Sequence, residues 1–330
     1  METRLYDIII VGGGPGGLTA GQYASRAGLD VLLIEGSSTF SQVTITDLVE
    51  NYPGIPEPVN GIELHNRFKE QASRFGLTTT SEGVTSITKK QPGEINSWEV
   101  KTNNNTYYSL SVIIATGASW SRLDVPGEET FIGRGISYCA TCDGPFYKDR
   151  DVVVVGGGDV AVEEAVYLTK FARKVTIIHR RDSLRATGIL RERALASDKI
   201  DFAYNSVPEE ILGSDFVTGV RIRNVKVPDD YRVIKTDGVF VFIGLIPNTN
   251  TVCSLVKLDD SGYIIVDSNM KTSEKGIFAC GDCIQKLLRQ IVTASGDGAT
   301  AAFSAQLYVE ELKGETYGDF GYQPYKKRGK

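Results

Sequence analysis

The stretch Tyr6-Asp-Ile-Ile-Ile-Val-Gly-Gly-Gly14 returns in mid-chain as Arg150-Asp-Val-Val-Val-Val-Gly-Gly-Gly158. In both copies a β-branched run of strand length passes straight into glycines. A helical stretch follows, Leu18 to Ala27 in the first copy and Val162 to Ala172 in the second. Each helix leads to another strand, Asp30-Val-Leu-Leu-Ile-Glu35 and Lys174-Val-Thr-Ile-Ile-His179. Glu35 and His179 each lie 21 residues beyond the last glycine of their copy. Val112-Ile-Ile-Ala-Thr-Gly117 and Val239-Phe-Val-Phe-Ile-Gly244 close the units. Two mononucleotide-type βαβ units of one plan therefore organise the chain.

The remainder of the 330 residues arranges around this repeat. The closing strands end near Ser119 and Pro247. The C-terminal segment has element signals at Tyr263–Val266, Ile277–Ala279 and Ile291–Glu311, but it is too short for a third domain of ordinary size. The expected fold is α/β, with two Rossmann-like dinucleotide-binding domains, the second inserted into the first. Residues 1–121 and 251–330 form one, and residues 122–250 the other. The 36 Lys+Arg against 41 Asp+Glu leave a net charge of −5, which carries no electrostatic footprint for nucleic acid. No apolar run approaches the ~18 residues that span a bilayer, and the N-terminus lacks a signal-peptide layout. A cytoplasmic protein without membrane partners is expected. Only two histidines, His65 and His179, argue against a His-rich metal site or a Ser-His-Asp hydrolase. The tail Tyr325–Lys330 reads as a solvated end.

The first loop, Gly12-Gly13-Gly14-Pro15-Gly16-Gly17, satisfies GxGxxG. Its glycines permit a tight turn, close approach to a pyrophosphate, and helix–strand packing at a positive helix N-terminus. Glu35 then offers a carboxylate to a ribose diol. The second loop, Gly156-Gly157-Gly158-Asp159-Val160-Ala161, is a GxGxxA variant. Here His179 takes the acid's place, followed by Arg180, Arg181 and Arg185. A carboxylate there would repel a 2′-phosphate, whereas guanidinium groups bind it. NADP is favoured at the second loop and a plain ribose at the first.

Cys139-Ala-Thr-Cys142 is followed by Asp143. Such a pair forms a small-loop disulfide, supplies half a zinc site, or occurs by chance. A second pair, Cys280-Gly-Asp-Cys283, is too remote for any compact zinc motif, so no metal is expected. The second pair and Cys253 read as thiols without redox work. Asp143 could shuttle protons for thiol–disulfide exchange. Two dinucleotide loops and one such pair describe an electron path from NADPH to a disulfide, with a flavin as the usual relay.

Along essentially its whole length the chain resembles the low-molecular-weight thioredoxin reductases. The matching residues are the Gly12–Gly17 loop, Val49-Glu-Asn-Tyr-Pro-Gly54, Ala115-Thr-Gly117, Gly133-Arg-Gly135, Cys139-Ala-Thr-Cys-Asp143, Gly156-Gly-Gly158, His179-Arg-Arg-Asp-Ser-Leu-Arg185, Gly281-Asp282 and Arg289-Gln290. The resemblance implies a homodimeric FAD enzyme that reduces thioredoxin with NADPH. Carried over, Gly12, Gly14, Pro15 and Gly17 would cradle the FAD pyrophosphate, with Glu35 near its ribose. Gln42, Asn51, Thr116, Gly117, Gly281, Asp282, Arg289, Gln290 and Ile291 would hold the rest of the flavin. Gly156, Gly158, Asp159, Val160, His179, Arg180, Arg181 and Arg185 would bind NADPH. Cys142 would face the flavin, Cys139 would attack the partner's disulfide, and Asp143 would be the acid/base.

Two departures stand out. Phe40-Ser41-Gln42 replaces the family's Gly-Gly-Gln, and Pro145 stands where an aromatic is common. Rival readings are a flavin-dependent dithiol oxidase, a peroxide-linked disulfide reductase, and a nucleotide sensor without turnover. The sensor leaves Cys139, Cys142 and Asp143 without a role. Nicotinamide and Cys142 cannot both reach one flavin face at ~3–3.5 Å. The two domains are therefore expected to rotate about Ser121–Asp124 and Pro247–Thr251.

Overall fold

A computed structural model describes residues 4–36, 41–45, 49, 51–90 and 97–314. The tail Tyr325–Lys330 lies outside them. Strand β1 (Leu5–Val11) holds Ile8, Ile9 and Ile10 at 0% exposure. Consecutive residues on a strand point to opposite faces, so both faces of β1 are covered. It pairs in parallel with β2 (Val31–Glu35), Ile8 opposite Val31 and Val11 opposite Ile34. Helix α1 (Pro15–Arg26) makes the crossover. It starts three residues before the Leu18 read from sequence, because Gly14 takes the N-cap and Pro15, which has no N–H to leave unpaired, takes the first turn.

Helix α2 (Gly61–Ser73), capped by Asn60, leads into β3 (Thr78–Ser81) on the far side of β2. The meander β4 (Val84–Lys90), β5 (Ser97–Thr102) and β6 (Thr106–Ile114) then brings β6 alongside β1 in parallel. Strand order is β3-β2-β1-β6-β5-β4. Strand β7 (Ala118–Trp120) carries the chain into a second unit.

That unit opens with α3 (Glu128–Phe131), β8 (Ile136–Ser137) and α4 (Ala140–Asp143). It then repeats the first plan. In β9 (Asp151–Val155) the run Val152–Val155 is buried throughout, and α5 (Asp159–Leu168) crosses to β10 (Lys174–Ile178), Val152 opposite Val175. Helix α6 (Gly188–Leu195) leads to β11 (Ile200–Ala203). An antiparallel sheet of β12 (Ser206–Gly213), β13 (Val217–Asn224) and β14 (Tyr231–Lys235) precedes β15 (Gly238–Val241). The parallel order is β11-β10-β9-β15-β8.

The chain leaves along β16 (Leu245–Pro247), which pairs with β7. It rejoins the first sheet through β17 (Ile277–Ala279), parallel to β6, and ends in α7 (Ile291–Lys313). The strand expected at Tyr263–Val266 is reduced to two isolated bridges at Ile264, to Leu258 and to Ile284, because the Asp259 and Asp267 carboxylates draw the flanking N–H groups into turns. The compact units are Met1–Ser119 with Ile246–Lys330, and Trp120–Leu245. Among the described residues no helix is long and apolar enough to cross a membrane.

One buried group sets a pH response. On α5, Glu164 Oε2 has no hydrogen-bond partner among the described residues. Burial, then the neighbouring Glu163 charge, pushes its carboxyl up to about 7 from 4.5. The folded protein therefore keeps a proton that the unfolded chain releases, and stability falls as pH rises from 4.5 through 7. Glu164→Gln removes that loss, worth about 2–3 kcal/mol once both states are ionised. Melting curves should coincide near pH 4 and separate above pH 7, the variant being higher. An equal gap at both pH values would overturn the assignment.

Candidate functional site

In the first unit the turn between β1 and α1 brings three backbones together. Gly12 has φ +118°, and a Cβ there would strike the carbonyl of Ala115 at the end of β6. Helix α1 thus starts where β1 and β6 both end, and its first N–H groups form a ready anion site. Ser41 lies beside the loop, its Oγ 3.4 Å from where a Cβ on Gly14 would sit, while Phe40 lies outside the described residues. Glu35 ends β2 and stacks its stem against Gly13.

Helix α2 adds two groups that sequence reasoning missed. His65 Nε2 donates to the Gly13 carbonyl at 2.8 Å, and Lys69, one turn on, places Nζ 2.7 Å from Glu35. Their i,i+4 spacing was visible, but only the placement of α2 against the loop gives it meaning.

The other residues expected around the flavin come from three further segments. Gln42 donates to the Ala118 carbonyl, and Asn51 Nδ2 donates to Gln290 Oε1 at 3.1 Å. Thr116 Oγ1 donates to the Asn248 carbonyl at 2.6 Å, and Asn248 Nδ2 returns a bond to the Thr116 carbonyl at 3.0 Å. Gly117 has φ +67°. Gln290 caps α7 in a reciprocal box with Thr293, so Ile291 opens the helix.

Arg289 lies 4.0 Å over the Tyr263 ring, yet its Nε is buried without a partner among the described residues. Asp282 Oδ1 is buried without a hydrogen bond among the described residues, with Lys286 Nζ 3.9 Å away, and burial pushes that carboxyl up. Lys286 bonds Asp297 at 2.6 Å, and Asp297 also accepts the Gly281 N–H at 3.3 Å. Buried polar groups in native proteins are normally satisfied, so two orphans beside a glycine cradle fit a polyhydroxyl ligand such as the ribityl dinucleotide FAD.

The second unit repeats the cradle with different chemistry. Gly156 has φ +150°, and a Cβ would meet Ala161 Cβ and the Phe242 carbonyl at 2.5 Å. Gly158 caps α5 and faces open space. Asp159 accepts the Thr187 N–H at 2.6 Å, and Val160 is 60% exposed at the helix start. His179 is 5% exposed beneath the loop, with Nε2 unpartnered among the described residues. Burial first, then Arg185, Arg181 and Arg180, push the imidazole below its ordinary value, keeping it neutral. Asp182 is taken by Lys226 at 2.9 Å, so the three exposed guanidinium groups have no ion pair among the described residues. A cradle with open cations fits a phosphorylated dinucleotide such as NADPH.

Cys139 is half-buried and disulfide-bonded. Its carbonyl accepts the Asp143 N–H at 3.2 Å, closing α4, and Asp143 is half-buried. The side chain of Cys142 lies outside the described ones. Tyr147, in the turn after α4, is pushed up to about 12 by burial and by Asp143. Cys280 and Cys283 are free, 0% exposed and held up by burial, whereas Cys253 is a free, exposed thiol. Among the described residues no metal-binding cluster occurs.

Comparison with known proteins gives concordant findings. The family model for pyridine nucleotide-disulphide oxidoreductases matches residues 6–298. Thioredoxin reductase of Listeria monocytogenes is 46% identical, covering 94% of this chain and 96% of its own length. That of Bacillus subtilis is 46% identical over 94% and 97%. The crystal structure of thioredoxin reductase from Streptococcus pyogenes matches with TM-score 0.76 at 46% identity, over 94% of this chain and all of the other.

Two glycines of the second loop should separate conformation from ligand binding. Gly158→Ala adds a methyl into protein-free space at an ordinary φ of −87°, so its melting temperature should stay within ~2 °C while NADPH affinity drops at least tenfold. Gly156→Ala should lower the melting temperature itself. Unchanged affinity in the folded Gly158 variant would show that nothing approaches the loop.

Proposed function

This chain belongs to the pyridine nucleotide-disulphide oxidoreductase family, and we propose that it is a thioredoxin reductase, oxidising NADPH and reducing the disulfide of thioredoxin. The observation that carries this reading is the bonded Cys139 in a Cys-Ala-Thr-Cys-Asp run, in a chain that also builds two dinucleotide cradles. FAD, when bound, relays the two electrons of the NADPH hydride to the Cys139–Cys142 disulfide. Residues 1–119 and 246–330 hold it, and the unit 120–245 binds NADPH and carries the disulfide. The enzyme works in the cytoplasm as a homodimer.

The residues divide the work by charge and geometry. The loop Gly12–Gly17 presents N–H groups to the FAD pyrophosphate. Asp282 and Arg289, each with a buried atom that makes no hydrogen bond among the described residues, receive its polar chain. Arg180, Arg181 and Arg185 neutralise the 2′-phosphate of NADPH, and neutral His179 adds no fourth charge. Two electrons, with one proton from the hydride and one from solvent, convert the disulfide to two thiols. Cys139 as thiolate then attacks one sulfur of the thioredoxin disulfide, forming a mixed disulfide and expelling a thiolate, which Asp143 protonates. Cys142 attacks Cys139 Sγ, releasing the second thioredoxin thiol and restoring the original disulfide.

A coupled assay tests this reading, with thioredoxin and oxygen as alternative acceptors. The purified protein should be yellow and should oxidise NADPH far faster with thioredoxin. Cys142→Ser should still bleach its flavin with NADPH yet reduce no thioredoxin. Thioredoxin turnover in that variant would sink the proposal. Arg180→Ala with Arg181→Ala should raise KM for NADPH about 10–100-fold per lost contact and leave NADH unaffected. An unaltered NADPH/NADH ratio would mean that the phosphate pocket is elsewhere.

A further inference from the structure

Just before Cys139 lies a polar network that the electron path does not use. Glu128 is 4% exposed, and no cation pairs with it among the described residues. Its carboxylate accepts three hydrogen bonds instead. Oε1 takes the Leu123 N–H at 2.8 Å and the Tyr138 hydroxyl at 2.6 Å, and Oε2 takes the Asp124 N–H at 2.8 Å. A buried carboxylate with three donors is held rigidly, since losing any one leaves charge unsolvated. Burial and the Glu128 bond both raise the Tyr138 hydroxyl, which therefore remains a donor throughout the working pH range.

The same Tyr138 ring stacks on Trp120, centroids 5.4 Å apart and planes 26° apart, with the Arg122 guanidinium 5.8 Å from its centroid. Residues 120–124 are the segment by which the chain enters this unit, and Asp124 is held there at φ +55°. On the other side, Ser137 Oγ accepts the Cys139 N–H at 3.0 Å and donates to the Cys139 carbonyl at 3.1 Å. The backbone that carries the sulfur is thus clamped by a hydroxyl on one side and tied, through one tyrosine, to the entering segment.

We propose that Tyr138 and Glu128 are positioning residues for thiol–disulfide exchange at Cys139: their hydrogen bond fixes the segment that presents Cys139 to a protein disulfide. The inference rests on the proposed thioredoxin reductase activity. In-line attack on a disulfide tolerates little angular error, so a loosened segment slows the exchange without touching the nucleotide loops.

The test uses the holoenzyme and the variant Tyr138→Phe, which keeps the stacked ring and removes only the hydroxyl. Glu128→Gln is the companion, and if it fails to fold Tyr138→Phe alone decides. Stopped-flow reduction of the flavin by NADPH should stay within twofold of wild type. The kcat for thioredoxin should fall about tenfold with KM little changed, and the reduced variant should react correspondingly slowly with a small aromatic disulfide. Wild-type kcat, or an equal loss in both half-reactions, would overturn the positioning role. Wild-type enzyme inactive toward thioredoxin would instead overturn the activity itself.

Discussion

At the end of β1 a glycine backbone passes so close to the carbonyl of Ala115 that no side chain fits between them, and Gly17 packs as tightly on Gly12. That steric constraint joins the ends of two strands to the start of a helix. Both cradles inherit it, since Gly156 stands against the Phe242 carbonyl in the same way. The open helix N-terminus, the acid or arginines at the next strand end, and the anion preference all follow from that crowding.

Because the backbone plan of strand, glycine turn and helix is repeated, the two cradles differ mainly in charge. At the end of β2, Glu35 is matched by Lys69 from α2. At the end of β10, a neutral His179 is surrounded by three arginines whose nearest acid already has a lysine. One cradle is balanced before any ligand arrives and the other is left cationic. Duplicated geometry thus carries different electrostatics in its two copies.

Most of the fold was legible in the sequence, because the signals were local. Strand, glycines, helix and the residue 21 positions on occupy one contiguous stretch, and repetition reinforced each reading. The strand expected at Tyr263–Val266 failed for an equally local reason, since aspartates on both sides captured the backbone. What escaped was tertiary. His65 and Lys69 matter only once α2 lies on the glycine loop. Asn248 meets Thr116, and Lys286 meets Asp297, through packing that no spacing rule encodes. Glu128 is marked out from the adjacent Glu129 only by the turn at 123–124 that folds over it.

The long helix α7 lies on α1 so closely that a methyl on Gly298 would strike the Gly16 carbonyl. Nearly the whole chain separates those two glycines. During synthesis β1 and α1 emerge first and must wait with their apolar faces unmatched, while the contiguous unit 120–245 can already close on itself. Only residues far downstream complete the opening fold, and a contact of such sequence separation is slow to form. The cradle between β1 and α1 is then late to mature. A truncation that removed α7 would leave a closed second unit attached to an unfinished first one.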